Sequence, residues 1–330
     1  DAVAVLNLVL LVGGYGLGPA GLFLVNTWLL AKGQVGLIAQ SGLHIFGATL
    51  GLLIVDCGAS LVLAREAALA ERSEEPARQI SRAYLALAPL RLAVAVLLFL
   101  LCAGLSLLSP NPFTGTFAGW AAPALLIWAL NPGGLLDGLH RSGVNGLATA
   151  APYVLCALVL MGAPGLDPAA IGLRLGLAVS LGSFLGLAAQ VAGLRSLGLR
   201  LHLRGVGPVE HRRHSASALA ALAAQLPGQA YFRIQLLVVN LALGPAGAGL
   251  LLYGKQIVVG CAQLIGFLRR IEFPHLVNAL ASPGQNVMRS VLSTQRRGAQ
   301  AALVSAGLVL VGGLATYALS EGDLHPAGLA

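Results

Sequence analysis

Four ionisable residues lie well inside long apolar stretches, where charged side chains are rare. They are the bases Arg91, Arg233 and Lys255 and the acid Asp56. If these stretches cross a membrane, each charge costs about 2.5–3.5 kcal/mol on insertion scales, so it normally faces a polar cavity or a partner. These four residues are therefore the candidates for ligand binding or for pairing within the protein.

Arg233 lies near the middle of its stretch and has polar neighbours. Gln225, Gln229 and Arg233 follow one another at intervals of four residues, which places them on one face of a helix, and Gln235 lies close by. Pro227 can break that helix. The stripe predicts a wet cavity around Arg233, and an arginine that snorkels or hydrogen-bonds exposed carbonyls is the alternative.

The other three ionisable residues carry different expectations. Lys255 lies near one end of its stretch, so it can line the same cavity or snorkel to the surface. Asp56 and Arg91 each lie nine residues from a charged helix end, at Arg65 and Arg82 respectively. At about 1.5 Å per residue they reach similar depth. We therefore expect a structural ion pair between Asp56 and Arg91, and we keep Arg91 as a candidate for substrate binding.

Composition places these residues in a membrane protein. Of the 330 residues, 57% are apolar and 10% charged, whereas soluble domains carry about 25% charged residues. Such a chain cannot cover itself with polar surface, so its outside faces lipid. The net charge of +8 does not indicate nucleic-acid binding, because the charges lie in short gaps between apolar runs. The predicted fold class is all-α, a polytopic membrane helix bundle.

The sequence offers little for catalysis. Glu71, Glu74 and Glu75 form its densest acidic group, which has the pattern of a solvated charge run. The four cysteines lie singly in apolar stretches without metal-ligand spacing, and no Walker loop is present. We therefore predict no catalytic residue, no metal and no cofactor, and a protein that is not an enzyme.

Nine apolar runs are long enough to cross the hydrocarbon core, which takes about 20 helical residues. They cover residues 3–31, 35–64, 83–108, 117–139, 144–163, 169–194, 217–243, 248–271 and 299–320. The chain begins at Asp1 and enters the first run almost at once. We expect a clipped start rather than a cleaved signal peptide, because the run has no basic leader and no small-residue cleavage site.

The gaps between these runs alternate in charge. Fifteen of the twenty Lys and Arg residues lie in the gaps at 65–82, 140–142, 195–214 and 269–297. In the alternate gaps, Lys32 is the only basic residue. Basic loops stay cytoplasmic, so the pattern predicts a cytoplasmic N-terminus and places residues 321–330 outside.

The longest polar gap among the first eight runs, residues 195–214, divides the chain. We predict an N-terminal lobe of six helices over residues 1–214 and the first three helices of an incomplete C-terminal lobe over residues 215–330. After six crossings the second block starts again from the cytoplasm, so any repeat between the blocks is parallel. Similar turns at 29–36 and 241–249 fit such a repeat, and the alternative is that Gly-rich turns simply look alike.

Several segments resemble the polysaccharide flippases of the multidrug/oligosaccharidyl-lipid/polysaccharide exporter superfamily. They are Ile54 to Ser60 with Arg65-Glu66 after it, Tyr231 to Gln235 continuing through Gly244-Pro245 to Gln256, and Leu268 to Pro274. Gln235 stands where the family often has an acid, which argues against cation coupling at that position. The family has twelve or more spanning helices, so the resemblance implies that three or more C-terminal helices are missing here.

The resemblance implies a function that fits the candidate residues. The substrate would be an undecaprenyl-pyrophosphate-linked oligosaccharide, moved by alternating access from the cytoplasmic to the periplasmic leaflet of a bacterial inner membrane for surface polysaccharide assembly. Its headgroup is anionic, so Arg233, Lys255 and Arg91, with Gln225, Gln229 and Gln235, would bind it in a cavity where attraction is stronger than in water. The implied partners are this lipid-linked substrate, membrane lipid and other polysaccharide-assembly proteins.

Three alternative functions are compatible with the sequence. A multidrug or cation antiporter of the same superfamily should carry acids in the cavity, where Asp56 is the one candidate. A peptidoglycan-precursor flippase should carry arginines in its first two helices, and residues 3–64 contain none. A membrane glycosyltransferase or ligase should show a large periplasmic loop with His or Arg, which these residues lack.

Overall fold

The computed structural model describes residues 2–70, 73–199 and 206–280, with isolated positions between 292 and 307. Every regular element in this part of the chain is an α-helix. In order they are α1 Ala2–Ala31, α2 Val35–Asp56, α3 Ala59–Ala70, α4 Pro76–Leu108, α5 Pro112–Ala129, α6 Gly133–Gly138, α7 Ser142–Met161, α8 Pro168–Ser196 and α9 Pro208–Leu280. The all-α class expected from the sequence is confirmed.

The helices form a multi-pass membrane bundle. Six stretches of the described chain are long and apolar enough to cross a membrane. Apolar side chains also dominate the outward faces, with Leu107 85% and Leu241 85% exposed. Side chains of this kind are stable at such exposure when they face hydrocarbon rather than water.

Small residues allow the helices of the bundle to approach closely. A Cβ at Gly14 of α1 would meet the backbone of Gly146 and Leu147 in α7. A Cβ at Gly176 of α8 would lie 2.8 Å from the carbonyl oxygen of Phe117 in α5. Without side chains at these points the backbones come into contact, which is the usual basis of helix packing in membranes.

The run predicted as one span over 35–64 is two helices, so that prediction is wrong. Helix α2 ends at Asp56, and α3 begins at Ala59. Between them Cys57 has φ 52° and Gly58 has φ 75°, both in the left-handed region. A left-handed residue ends a helix, and Gly58 adopts this conformation without steric cost. Apolarity continues through the break, so the span pattern does not reveal it.

The run predicted over 117–139 is also divided. Helix α5 begins earlier, at Pro112, where the side chain of Asn111 accepts hydrogen bonds from the backbone N–H groups of Phe113 and Thr114. It ends at Ala129, and the six-residue α6 follows. Pro132 disfavours helical backbone at the residue before it, which accounts for the break.

The predicted spans 217–243 and 248–271 form the two arms of α9. Residue 244 is the one non-helical residue inside α9, at φ 72° and ψ −175°, and it joins arm 208–243 to arm 245–280. The spans 3–31, 83–108, 144–163 and 169–194 correspond to α1, α4, α7 and α8, although α4 begins earlier, at Pro76. The predicted span 299–320 lies almost entirely outside the described residues, and the two-lobe division stays a prediction.

The core lies where α8 packs against both α5 and α7, with α1 against α7. Helix α9 packs along α2 and α3 and also contacts α1 and α4. Helix α9 therefore lies against the side of the bundle formed by α1 to α4.

Candidate functional site

The predicted ion pair between Asp56 and Arg91 is confirmed. Arg91 is 1% exposed, and its Nη2 lies 3.4 Å from Asp56 Oδ1. Its Nη1 donates to the carbonyl oxygen of Asn131 at 2.8 Å, and its Nη2 donates to that of Trp128 at 2.9 Å. These carbonyls lie at the end of α5, so a cation here also stabilises the negative end of the helix dipole.

Asp56 has a second set of partners at the break between α2 and α3. Its carboxylate accepts from the Ser60 backbone N–H at 3.0 Å and from the Ser60 hydroxyl at 2.8 Å. A carboxylate at the start of α3 is stabilised by the positive end of that helix. Asp56 and Arg91 therefore join two helix breaks through α4. The burial of Arg91 favours its structural role over the predicted contact with substrate.

A polar network beside the α5–α6 break has no counterpart among the sequence predictions. The Gln190 Nε2 donates to Asn145 Oδ1 at 2.9 Å, and Asn145 Nδ2 donates to Asp137 Oδ2 at 2.9 Å. Asn131 Oδ1 accepts from the backbone N–H of Gly133 at 2.7 Å. Asn131 and Asp137 share the predicted run 117–139, whereas Asn145 and Gln190 lie in two other runs. No common spacing therefore links them, and only the Asn131-Pro132 pair marks the break. The network joins α6, α7 and α8.

Aromatic rings connect α9 to α1 and α2. Phe23 of α1 stacks on Tyr253 with ring centroids 5.4 Å apart, and Phe46 of α2 meets Phe232 edge-on at 5.7 Å. The hydroxyl of Thr27 donates to that of Tyr253 at 3.3 Å. We call these five residues the α9 seam. Such ring pairs stabilise a contact by about 0.5–1.5 kcal/mol beyond the area they bury.

Lys255 points into this seam. Its Nζ lies 4.8 Å from the centroid of the Phe232 ring, within the range of a cation–π interaction. Phe232 is 7% exposed, and Lys255 is half-buried. Among the described residues, no carboxylate forms an ion pair with Lys255. Of the two orientations that the sequence leaves open, the side chain takes the one toward the protein interior.

Arg233 lies at the same level as Lys255 on the opposite arm of α9. Each is eleven residues from Gly244, at which the arms join. At about 1.5 Å per residue both lie roughly 16 Å from the turn. The contact between Lys255 and Phe232, the residue before Arg233, agrees with this register. The two arms therefore place two basic residues at one depth.

The structure only partly describes the glutamines predicted to accompany Arg233. Gln225 is exposed, and Gln235 is half-buried. The side chains of Arg233 and Gln229 lie outside the described residues, so the polar stripe stays a prediction.

A charged cleft of about 290 Å³ lies where the α3–α4 connection faces the start of α9. Its lining includes Glu66, Glu75, Arg82, Glu210 and His214. Its lining contains three glutamates, two arginines and one histidine, so it has no strong preference for a polyanion. In the part of the chain that the structure describes, no group of three His, Cys, Asp or Glu side chains could hold a metal ion.

Comparisons with protein-family models, with curated proteins and with solved structures find no match for this chain.

Proposed function

We propose that this protein is a polysaccharide flippase of the multidrug/oligosaccharidyl-lipid/polysaccharide exporter superfamily. It moves an undecaprenyl-pyrophosphate-linked oligosaccharide from the cytoplasmic to the periplasmic leaflet of a bacterial inner membrane. One observation carries the proposal: Lys255 reaches the α9 seam without a carboxylate partner in the described chain, at the depth of Arg233.

A pyrophosphate diester offers a negative charge to each of these two basic residues. It carries two negative charges, one for each arm of α9. At a separation of about 4 Å a pair of unit charges attracts by about 4 kcal/mol at an effective dielectric constant near 20, against about 1 kcal/mol in water. Arg233 can bind two phosphate oxygens at once, whereas Lys255 acts as a point charge.

The contacts across the α9 seam also allow α9 to move relative to α1 and α2. Helix α9 meets α1 and α2 there through the ring pairs Phe23–Tyr253 and Phe46–Phe232 and one hydroxyl pair. No ion pair crosses it among the described residues. In the proposed cycle the headgroup enters between α9 and the α1–α2 face, while the lipid tail stays in the bilayer. Relative movement of the two parts then exposes the headgroup to the opposite leaflet.

The test measures transport and stability in the same variants. The purified protein is reconstituted into liposomes with a fluorescent polyprenyl-pyrophosphate-linked sugar, and the labelled sugar reaching the outer leaflet is quenched by dithionite. We expect Arg233→Ala to abolish flipping with an unchanged melting temperature, and Arg233→Lys to retain part of it because the charge remains. Arg174→Ala is the matched control, since Arg174 is exposed on α8.

A stable Arg233→Ala variant with full activity would remove the main support for an anionic substrate. Exchange of Na⁺ or H⁺ for a cationic drug, with no sugar movement, would favour the antiporter instead. The acid that the sequence offers to such an antiporter, Asp56, is paired with Arg91 and Ser60. Transfer of the sugar to an acceptor in the same liposomes would favour a glycosyltransferase or ligase.

A further inference from the structure

We propose that the ring of Phe232 competes with the substrate's pyrophosphate for Lys255, so that Phe232 sets the affinity of the site. This inference rests on the proposed function, because it assumes that an anion binds in the α9 seam. Phe232 is then a positioning residue, since it acts on the ligand through Lys255.

The ring of Phe232 is held in place from two sides. Its centroid lies 5.7 Å from that of Phe46, with the two ring planes at 81°. Nζ of Lys255 lies 4.8 Å from its centroid. Because the ring is 7% exposed and packed against α2, it holds the ammonium group at one point of the seam.

The backbone near Lys255 is also restrained. Tyr253, two residues earlier, stacks on Phe23 at 5.4 Å and accepts a hydrogen bond from Thr27 at 3.3 Å. A ligand can therefore recruit Lys255 by rotation of its four-carbon side chain, without displacing the helix.

An anion that binds Lys255 must first break the cation–π contact between its ammonium group and the Phe232 ring. The face of an aromatic ring attracts a cation through its quadrupole, more strongly where water is excluded. Lys255 has no ion-pair partner among the described residues, and this attraction stabilises its cation inside the seam instead. It is lost when the phosphate approaches, so it opposes binding. The arrangement predicts that weakening the ring's hold on Lys255 tightens anion binding.

Calorimetric titration of the detergent-solubilised full chain with inorganic pyrophosphate tests this. Phe232→Leu keeps an apolar side chain but removes the π face, and it should bind about twofold to thirtyfold more tightly than the wild type, the range of measured cation–π strengths. Phe232→Trp offers a stronger π face and should bind more weakly. A purely structural role for the ring predicts the opposite order, because Leu would loosen the site.

Two controls isolate the Lys255 contact. Phe184→Leu removes a ring on the exposed surface of α8, outside the α9 seam, and its affinity should equal that of the wild type. In a Lys255→Met background the Leu, Phe and Trp variants at position 232 should not differ from one another. A melting curve for each variant identifies any loss of affinity that comes from unfolding. Repeating the series in nanodiscs with a polyprenyl pyrophosphate separates a lipid headgroup from a free phosphate compound.

Tighter binding by Phe232→Leu that disappears in the Lys255→Met background supports the inference. Equal or weaker binding by a folded Phe232→Leu, or no pyrophosphate binding by the wild type in either setting, overturns it. The flipping assay decides the proposed function separately. Flipping with no competition at Phe232 would leave the flippase proposal standing and remove only this inference.

Discussion

Arg91 and Lys255 are both cations inside apolar helices, yet the protein surrounds them differently. Arg91 has a carboxylate and two backbone carbonyls around its terminal nitrogens and is 1% exposed. Lys255 is half-buried and has an aromatic ring as its described partner. An internal cation that binds a carboxylate and carbonyls of other helices holds those helices together. A cation whose described partner is an aromatic ring remains available to a ligand. Depth in the membrane does not distinguish these two roles.

The largest expected effect is on stability at Arg91. Removing one partner of a buried pair leaves the other uncompensated, so Asp56→Asn or Arg91→Gln alone should destabilise the protein by about 3–5 kcal/mol. The double variant should recover much of this loss. Melting temperature and yield in detergent measure both. Two single variants as stable as the wild type would show that Arg91 is not the structural member of the comparison.

At Lys255 the expected effect is on transport. Lys255→Met should lose flipping while its free energy of unfolding changes by no more than about 1–2 kcal/mol. The change removes one cation–π contact and a charge that has no ion-pair partner in the described part of the chain. Arg174→Met, on the exposed face of α8, controls for the loss of positive charge. A Lys255→Met variant that fails to fold would place Lys255 in the same structural class as Arg91.

Two glycines test how tightly the protein is packed around the Asp56–Arg91 pair and around Lys255. A Cβ at Gly134 in α6 would meet the backbone of Ser60, which binds Asp56. Outside its own helix, a Cβ at Gly254 would meet no atom of the described residues within 4 Å. Gly134→Ala should therefore destabilise the protein by about 1–3 kcal/mol through overpacking. Gly254→Ala should be neutral or stabilise it by up to about 1 kcal/mol through helix propensity. Equal effects in chemical denaturation would contradict the difference in packing.

The last prediction concerns the orientation of Arg91 and Lys255 in the bilayer, and its variants should change neither stability nor transport. The basic loops predict that Lys255 lies nearer the periplasm and Arg91 nearer the cytoplasm. In a cysteine-free background, Pro110→Cys should react with an impermeant maleimide from outside, and Ser196→Cys should not. Both positions are exposed. The reverse pattern would invert the orientation and the proposed direction of transport.

Much of the helix framework could be predicted from the sequence. The apolar runs at 3–31, 144–163 and 169–194 match α1, α7 and α8 within two residues at each end. This works because burial of apolar surface in lipid depends on the residues of one segment alone. The breaks after Asp56 and Ala129 could not be predicted from apolarity, because they depend on backbone torsions within a continuous apolar run. Gly58 and the Asn131-Pro132 pair are the local signals that mark them.

The contacts of the charged residues, too, could be predicted only in part from the sequence. Depth along a helix follows from counting residues, so the Asp56–Arg91 pair could be predicted from spacing. The common level of Arg233 and Lys255 was found only once the turn at Gly244 was known. The backbone carbonyls that Arg91 also binds and the ring that Lys255 contacts could not be predicted from spacing. A carbonyl at the end of α5 or the face of Phe232 has no signature in the sequence around the charge it binds.

The residues of each segment alone predict a helical membrane protein, the course of most of its helices and the few charges inside them. The packing of helices from distant parts of the chain places a carboxylate and two carbonyls around Arg91 and the ring of Phe232 beside Lys255. The physical reason is that the cost of an internal charge is set along one helix, whereas its compensation depends on which neighbouring helices approach and what they present there.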